Sequence, residues 1–513
     1  MEIIFLTARA VTIELTGSDV YYTEKPYDIF LNGKTTRKEC RTNVFSLYDL
    51  EPDTEYLVNT ANQEVSFKTP EESVTLNVKE FYAKGDGISD DTEAIQAAIM
   101  CCPPEGRVVI PAGRYCIKPI FLKSNLRLEI QKDAILLGET DREKYPILPG
   151  RIASTKKDKE FYYGTWEGRA ESAFAGLITG ISVENVQIYG EGIVDGRAGQ
   201  SDWWVDDIVK RIAWRPRGIF FNRCENIMIQ GITCRNTASW NQHPFFCKKV
   251  LYADVKLENP KENPNTDGIN PDSCDDVKII GCFFSVGDDC IAIKSGKAEM
   301  GKLLKTPCQN IVIRNCYMKH GHGAVTLGSE MSAGLKDICV SQCLFAETDR
   351  GLRIKTQRGR GKAAIVERVS FKNIRMNNVK APLVVNMFYK ARNDFPDTEY
   401  KYNPESQVVD DRTPHFGSFH FENIYAEDVE WAAGAFWGLP EQPIEYISMT
   451  NCCFKMKEDA DAGAAIMTLN GPKYHKAGLV FSSVKEVALE HVEMVGAEGD
   501  SYQLKQVQKI TEI

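Results

Sequence analysis

Glu184-Asn185-Val186-Gln187-Ile188, Glu225-Asn226-Ile227-Met228-Ile229 and Gln309-Asn310-Ile311-Val312-Ile313 repeat one short pattern. Each has a polar start followed by two apolar residues with one position between them. Asp276-Val277-Lys278-Ile279, Lys336-Asp337-Ile338-Cys339-Val340 and Glu445-Tyr446-Ile447-Ser448-Met449 are looser copies. Apolar residues at a period of two mark strands. Where no insertion intervenes, neighbouring copies lie about 23 to about 31 residues apart. Repeats of that length, built from short strands without a helix, predict a coiled parallel β-solenoid. Each coil buries every second side chain against the coils above and below it. A sandwich would carry hairpin turns such as Asn-Gly between strands, and these are scarce after residue 80. A propeller would need a longer, four-stranded period.

Outward from the repeats, the chain changes character at both ends of the pattern. Residues 1–72 read as a separate small β-sandwich. Alternating runs at 11–15, 27–31, 44–47, 56–60 and 64–68 are broken by Gly, Pro and Asn-Gly. Leu50-Glu51-Pro52-Asp53-Thr54-Glu55-Tyr56 resembles the tyrosine-corner segment of fibronectin type III domains, and residues 70–75 form the linker. The solenoid is expected over 77–513. Acidic and hydroxyl residues at 86–93 cap a helix predicted over 92–100, which Pro103-Pro104 ends, and a strand follows at 107–110. Two stretches interrupt the rhythm. One is residues 139–169, with Tyr162, Tyr163 and Trp166. The other is residues 390–417, rich in Asp, Pro, Tyr and Asn. Long insertions on a rigid scaffold are commonly functional loops, the alternative being surface decoration.

The formal net charge of −9 over 513 residues argues against nucleic acid as a partner. It also means that an anionic substrate needs local cations. No stretch approaches the length of a membrane span. The start, MEIIFLTARAVTIEL, lacks a basic segment and a long apolar run, so a bacterial cytoplasmic protein is expected rather than a secreted one. The sixteen cysteines are then read as reduced thiols, many of them, such as Cys234, Cys282, Cys316 and Cys343, inside apolar strands. Their spacing does not fit a zinc site, and no metal or cofactor is expected.

Four clusters fall within about ninety residues: Asn265-Thr266-Asp267-Gly268, Gly287-Asp288-Asp289-Cys290, Gly321-His322-Gly323 and Arg353-Ile354-Lys355. Asp267 and Asp288 are 21 residues apart, close to one coil; His322 follows 34 residues on, with residues 297–307 as a loop absorbing the excess, and Arg353 a further 31. On a solenoid, residues one coil apart sit on neighbouring strands about 4.8 Å apart. All four clusters are therefore expected on one face. Two carboxyl groups spaced by a water suit inverting glycoside hydrolysis, one as acid and one as base. Asp288 and Asp289 reach one cleft together only if the chain bends, which Gly287 eases. Crowding three carboxylates should keep one protonated near neutral pH, and His322 is placed to hydrogen-bond a carboxylate.

In this order and spacing the clusters resemble glycoside hydrolase family 28, the polygalacturonases. The resemblance spans roughly residues 77–500. It implies a right-handed parallel β-helix and metal-free, inverting hydrolysis of α-1,4-linked galacturonic acid in a pectic galacturonan. It implies Asp288 as general acid, Asp267 and Asp289 as residues that position and activate water, and His322 as support for the acid. Arg353 and Lys355 would bind galacturonate carboxylates, and Tyr389 looks like the family's subsite tyrosine. Rhamnogalacturonan-cleaving members depart from the Asn-Thr-Asp and Gly-His-Gly patterns, and their presence here favours homogalacturonan; a rhamnogalacturonan or xylogalacturonan hydrolase of the same family is an alternative. Ser239-Trp240-Asn241-Gln242-His243-Pro244 and Gly328-Ser329-Glu330-Met331-Ser332 resemble exo-acting members, as does a fibronectin-like N-terminal domain. Asn265 joins the substrate-binding candidates. Trp240 is a candidate stacking or wall residue, or else a buried aromatic. His243 is a candidate contact to a terminal carboxylate, or else a structural histidine. The competing readings are a calcium-dependent pectate lyase on a similar solenoid and a non-catalytic glycan-binding solenoid. Oligomeric state is open.

Overall fold

The computed structural model describes residues 1–156, 160–297, 299–390 and 398–512. Its body is a parallel β-helix whose coils carry up to three strands each, one in each of three parallel sheets. The coils wind right-handed, as parallel crossovers do. The repeated pattern is the first sheet. Val186, Ile227, Val250, Val277, Ile311, Ile338 and Val369 are register partners on successive coils. Ile188, Ile229, Tyr252, Ile279, Ile313, Val340 and Phe371 form a second such column two residues further on. Both columns are buried in one continuous core. Each such side chain contributes about 1.5–3 kcal/mol by leaving water.

The polar start of each repeat is the corner that precedes this sheet. Asn185, Asn226, Asp276, Asn310 and Asp337 have φ of 55°, 55°, 58°, 57° and 55°. Asn and Asp tolerate this left-handed conformation better than other residues with a side chain. They also link coils, since Asn226 Nδ2 donates to Asn185 Oδ1 at 2.8 Å and Asn185 Nδ2 to Asn125 Oδ1 at 2.9 Å. The helix Thr92–Cys101 covers the first coil with Ile95, Ala98 and Ile99. At the other end the strand Tyr502–Glu512 pairs with Ala477–Val495.

The N-terminal residues form two antiparallel sheets. Glu2–Leu6, Val11–Glu14 and Val44–Leu47 make one; Lys34–Thr42, Tyr22–Leu31, Glu55–Asn59 and Glu64–Lys68 make the other, in those orders. The strands Glu2–Leu6 and Lys34–Thr42 lack clean alternation and escaped the sequence reading. The Glu51 N–H donates to Tyr56 Oη at 2.8 Å, the contact expected of a tyrosine corner. This unit lies along the side of the solenoid. Arg314 Nε and Asn315 Nδ2 donate to Glu14 Oε1 at 2.7 and 2.6 Å, and Ser46 Oγ donates to Asp254 Oδ2 at 2.6 Å. All sixteen cysteines are free thiols.

Candidate active site

The third sheet carries the chemistry. Its strands Gln242–Phe245, Ile291–Ile293, Val325–Gly328, Arg350–Lys355 and Ala381–Asn386 stack on successive coils, with Ile269 and Asp272 bridging the first two. Side chains that point inward, such as Ile291, Ile293, Leu352 and Ile354, join the core. Those that point outward include Lys294, Arg353 and Lys355, which floor a groove of about 970 Å³. Asp267, Asp288, Asp289, His322, Asn265, Trp240 and Tyr389 line the same groove.

The register differs from the sequence reading in one respect. The Gly268 N–H donates to Asp289 O at 3.0 Å, so Asp289, and not Asp288, stacks beside Asp267 on the next coil. Asp288 lies one residue earlier in the corner after Phe283–Val286, and its Oδ1 accepts the Asp289 N–H at 3.0 Å. This corner brings both carboxylates to the groove. Gly287 serves it by lacking volume rather than by unusual φ: a Cβ there would sit 2.4 Å from Asn263 O and 2.7 Å from Thr266 Oγ1.

The two stacked aspartates have opposite electrostatic surroundings. Burial acts on both to favour the neutral form. For Asp267 burial prevails, reinforced by Asp288 and only partly offset by Lys294 and by Asn270 Nδ2, which donates to Oδ2 at 2.8 Å. Its carboxyl is pushed up to about 8. For Asp289 burial is outweighed by Lys355 Nζ at 2.9 Å and Arg353 Nη1 at 2.7 Å, which hold it far below the usual carboxylate range. Of the three aspartates, Asp267 is the one whose surroundings favour the protonated form.

His322 stands at the groove mouth, its side chain 54 % exposed. Its Nδ1 lies 2.9 Å from Asp349 Oδ2, which raises its basicity against the effect of burial; Asp288 adds to the rise. The carboxylate it bonds is therefore Asp349, outside the four clusters. Asp349 also accepts Lys380 Nζ at 2.9 Å. Lys355 Nζ and the Arg353 guanidinium lie 5.5 and 6.0 Å from the Tyr389 ring centre, and the Asn265 side-chain oxygen accepts Arg215 Nη2 at 2.6 Å. Trp240 is a buried wall residue, with Arg217 and Lys294 each 4.8 Å from its ring centre.

His243 does not reach substrate space. It is fully buried, is not among the residues lining the groove, and packs at 4.7 Å edge-on to Trp240, 5.2 Å from Phe220 and 3.6 Å from Asp272. It shares its strand face with Phe245, and the insertion covers that face. Both ring nitrogens lack a hydrogen bond among the described residues, the nearest partner of Nε2 being Asp272 Oδ2 at 3.6 Å.

The first insertion is part of the site. The short pair Thr165–Trp166 and Arg169–Ala170 forms a hairpin with Glu167 and Gly168 at its tip, both at positive φ. Trp166 stacks on Trp214 at 4.6 Å, and Gly168 O accepts the Lys297 N–H at 2.9 Å. A Cβ on Gly168 would meet that nitrogen at 2.6 Å, so only glycine seats the tip. Residues 297–307 hold the helix Glu299–Leu304, whose Met300 packs in a cluster with Leu148 and Tyr163 of the insertion and with Ala170 just after it. In the second insertion, residues 391–397 lie outside the described residues. Beyond them, Arg358 anchors the backbone at Tyr400, Asn403 and Glu405. Met467, from a later segment, meets Arg353 Nη2 and closes another side.

Comparison with known proteins bears on this arrangement. The profile of glycosyl hydrolases family 28 matches residues 108–399, more than half of the chain. A probable polygalacturonase of Vitis vinifera is 30 % identical over 74 % of this chain and 73 % of its own. An exopolygalacturonase of Zea mays is 27 % identical over 61 % and 70 %. The structure of a family 28 exopolygalacturonase of Yersinia enterocolitica superposes with a TM-score of 0.73 at 20 % identity, covering 99 % of this chain and 97 % of that one. The chain belongs to glycosyl hydrolases family 28 and is a glycoside hydrolase.

Proposed function

We propose that this chain hydrolyses α-1,4-galacturonosidic bonds of homogalacturonan or oligogalacturonates with inversion, and that it works from a chain end, releasing galacturonic acid. One observation carries the reading: Asp267, Asp288, Asp289, His322, Arg353 and Lys355 line a single groove. A polyuronide brings one carboxylate per sugar. Arg353 and Lys355 are the cations on the groove floor next to the carboxylates, and Asp289 keeps them in position. The relatives named above are polygalacturonases by name.

Asp288 is assigned as the acid that protonates the leaving oxygen, while Asp289 and Asp267 hold and deprotonate the attacking water. His322, anchored by Asp349, supports Asp288. The elevated carboxyl of Asp267 favours a second assignment, in which Asp267 supplies the proton and Asp289 acts as base. An aryl galacturonide with a good leaving group separates the two. The variant that lacks the acid retains hydrolysis of this substrate, because its leaving group needs no proton. Retention by Asp288→Asn supports the first assignment, and retention by Asp267→Asn the second.

The exo reading is supported by the hairpin tip at Glu167 and Gly168, which walls the groove beside Lys297 and Glu330. Timed product analysis on polygalacturonate tests it: galacturonic acid alone from the first points is expected, and an early ladder of oligomers excludes it. Proton NMR of the first-formed anomer tests inversion, and a retained anomer excludes the roles given to the three aspartates. A calcium-dependent lyase is excluded if full activity persists in chelator without an unsaturated product.

A further inference from the structure

The walled end of the groove has its own charge arrangement. Lys294 occupies the same outward register column as Lys355, two coils away, and Gly328 lies between them on the intervening strand. The floor between the two lysines therefore carries no side chain. Lys294 Nζ donates to Glu330 Oε2 at 2.9 Å and lies over the Trp240 ring. Glu330 has three cations around it, Lys294, Lys297 and Arg360, and they hold its carboxyl low against burial. Arg360 stands behind, with Nε and Nη2 buried and without a hydrogen-bond partner among the described residues. Glu330 is thus the carboxylate on which Lys294, Lys297 and Arg360 all act. Glu167, on the hairpin tip, lines the groove beside this cluster. Burial and Glu330 push its carboxyl up, against Lys297 and Lys294.

We propose that this end of the groove is a recognition pocket for a terminal uronate, in which Lys294 binds the sugar's carboxylate and Glu167 binds one of its hydroxyls. The proposal rests on the exo reading and adds a third carboxylate-binding cation to Arg353 and Lys355. Lys294 lines the groove beside Trp240, so a uronate carboxylate meets a fixed cation there and a methyl ester does not; the pocket therefore selects for the acid form of the last sugar. Trp240 offers an apolar face beside the ammonium group, as sugar sites commonly do. Glu330 fixes the Lys294 ammonium at the edge of the pocket and is a positioning residue.

Two trigalacturonates test this, one methyl-esterified only at the non-reducing sugar and one only at the reducing sugar, each compared with the free acid. The wild-type enzyme is expected to prefer the acid at one end by about tenfold or more in kcat/KM, the range of a charged hydrogen bond. Lys294→Met is expected to raise KM for the acid and abolish the preference at that end alone, with Lys294→Arg retaining it. A Lys294→Met enzyme with the wild-type acid-to-ester ratio at both ends overturns the pocket. Glu167→Gln, on the hairpin tip, keeps the test open if Lys294→Met does not fold: a KM raised several-fold at unchanged kcat supports the pocket, and an unchanged KM overturns it. An early product ladder from the wild-type enzyme removes the exo reading and the pocket with it. Monomer-only products with an unmoved ratio remove the pocket alone.

Discussion

The two coils that meet under the groove carry aspartate at the same register position and surround it with different charges. Asp267 meets Asp288, an amide and Lys294, and burial prevails to favour its protonated form; Asp289 meets Arg353 and Lys355, which favour its ionised form. Backbone position and burial are nearly identical, so neither explains the difference. The difference comes from the next coils along. Arg353 and Lys355 lie on the strand Arg350–Lys355 and reach back toward Asp289, while the coil before Asp267 contributes Trp240 to the groove. A solenoid makes this easy to build, because a single residue changed on one coil alters the environment of its neighbour without disturbing the winding.

Asp289→Asn breaks the comparison most severely. It leaves Arg353 and Lys355 buried without their anion, and removing one member of such a cluster costs about 3–5 kcal/mol. The thermal unfolding midpoint is expected to fall. Because Asp289 also holds the water in either assignment, kcat is expected to drop by about 10²–10⁴-fold. A variant with near-native kcat on galacturonan would remove Asp289 from the chemistry.

Arg353→Met acts on one side only. Asp289 keeps Lys355 but loses the guanidinium at 2.7 Å, so its carboxyl rises toward the ordinary range. The acid limb of the pH–rate profile, where the base becomes protonated, is expected to move to higher pH. With a substrate contact also lost, kcat/KM should fall by about 10–100-fold. A fall without movement of the acid limb would mean that Arg353 binds substrate but does not set Asp289.

How much of this was legible in the sequence depends on the range over which each feature is encoded. The apolar columns repeat every coil, so the solenoid and its strands are written many times over, and Val186, Ile227 and Ile311 sit where alternation puts them. Each of the four clusters is contiguous in sequence, and they come together because coils of different length, their excess taken up in loops, still return to the same sheet. Register at one-residue resolution was not legible. Asp288 lies 21 residues from Asp267, but the corner consumes one more residue and stacks Asp289 there instead. Asp349, Asn270 and the Lys294–Glu330 pair carry no local motif, since an isolated Asp or Lys in a strand reads as solvated. His243 was misread for the converse reason. The insertion that buries it, residues 139–169, lies 74 to 104 residues earlier in the chain, and nothing near His243 announces it. The N-terminal unit was legible in its alternating strands, whereas its seat against Arg314 and Asn315 depends on long-range contacts with Glu14.

Asp349→Asn tests whether His322 belongs to the Asp289 side of the contrast, the side set by ion pairs. The variant keeps the shape but removes the charge that raises His322 and leaves Lys380 without its carboxylate at 2.9 Å. The imidazole should then lose its proton at lower pH, and kcat should fall by roughly tenfold, the small end of an acid–base effect. The fall should be larger at pH 7 than at pH 5, where even a weakened imidazole remains charged. A pH-independent loss would assign Asp349 to loop structure alone.

The smallest expected effect is also the most specific to the contrast. Asn270→Ala removes the one hydrogen bond that lowers Asp267, without touching Asp289, Arg353 or Lys355. Asp267, already held up to about 8, should rise further. If its protonated form is the active one, activity declines as pH rises through that value in the wild-type enzyme. In Asn270→Ala this alkaline limb should move upward by about one to two pH units, with the acid limb unmoved, since a hydrogen bond to a charged group is worth about 1.5–3 kcal/mol. If instead the ionised form of Asp267 is the working base, the same substitution moves the acid limb upward and leaves the alkaline limb in place. The direction of one limb therefore decides which of the stacked aspartates carries the proton in catalysis, independently of any loss in rate.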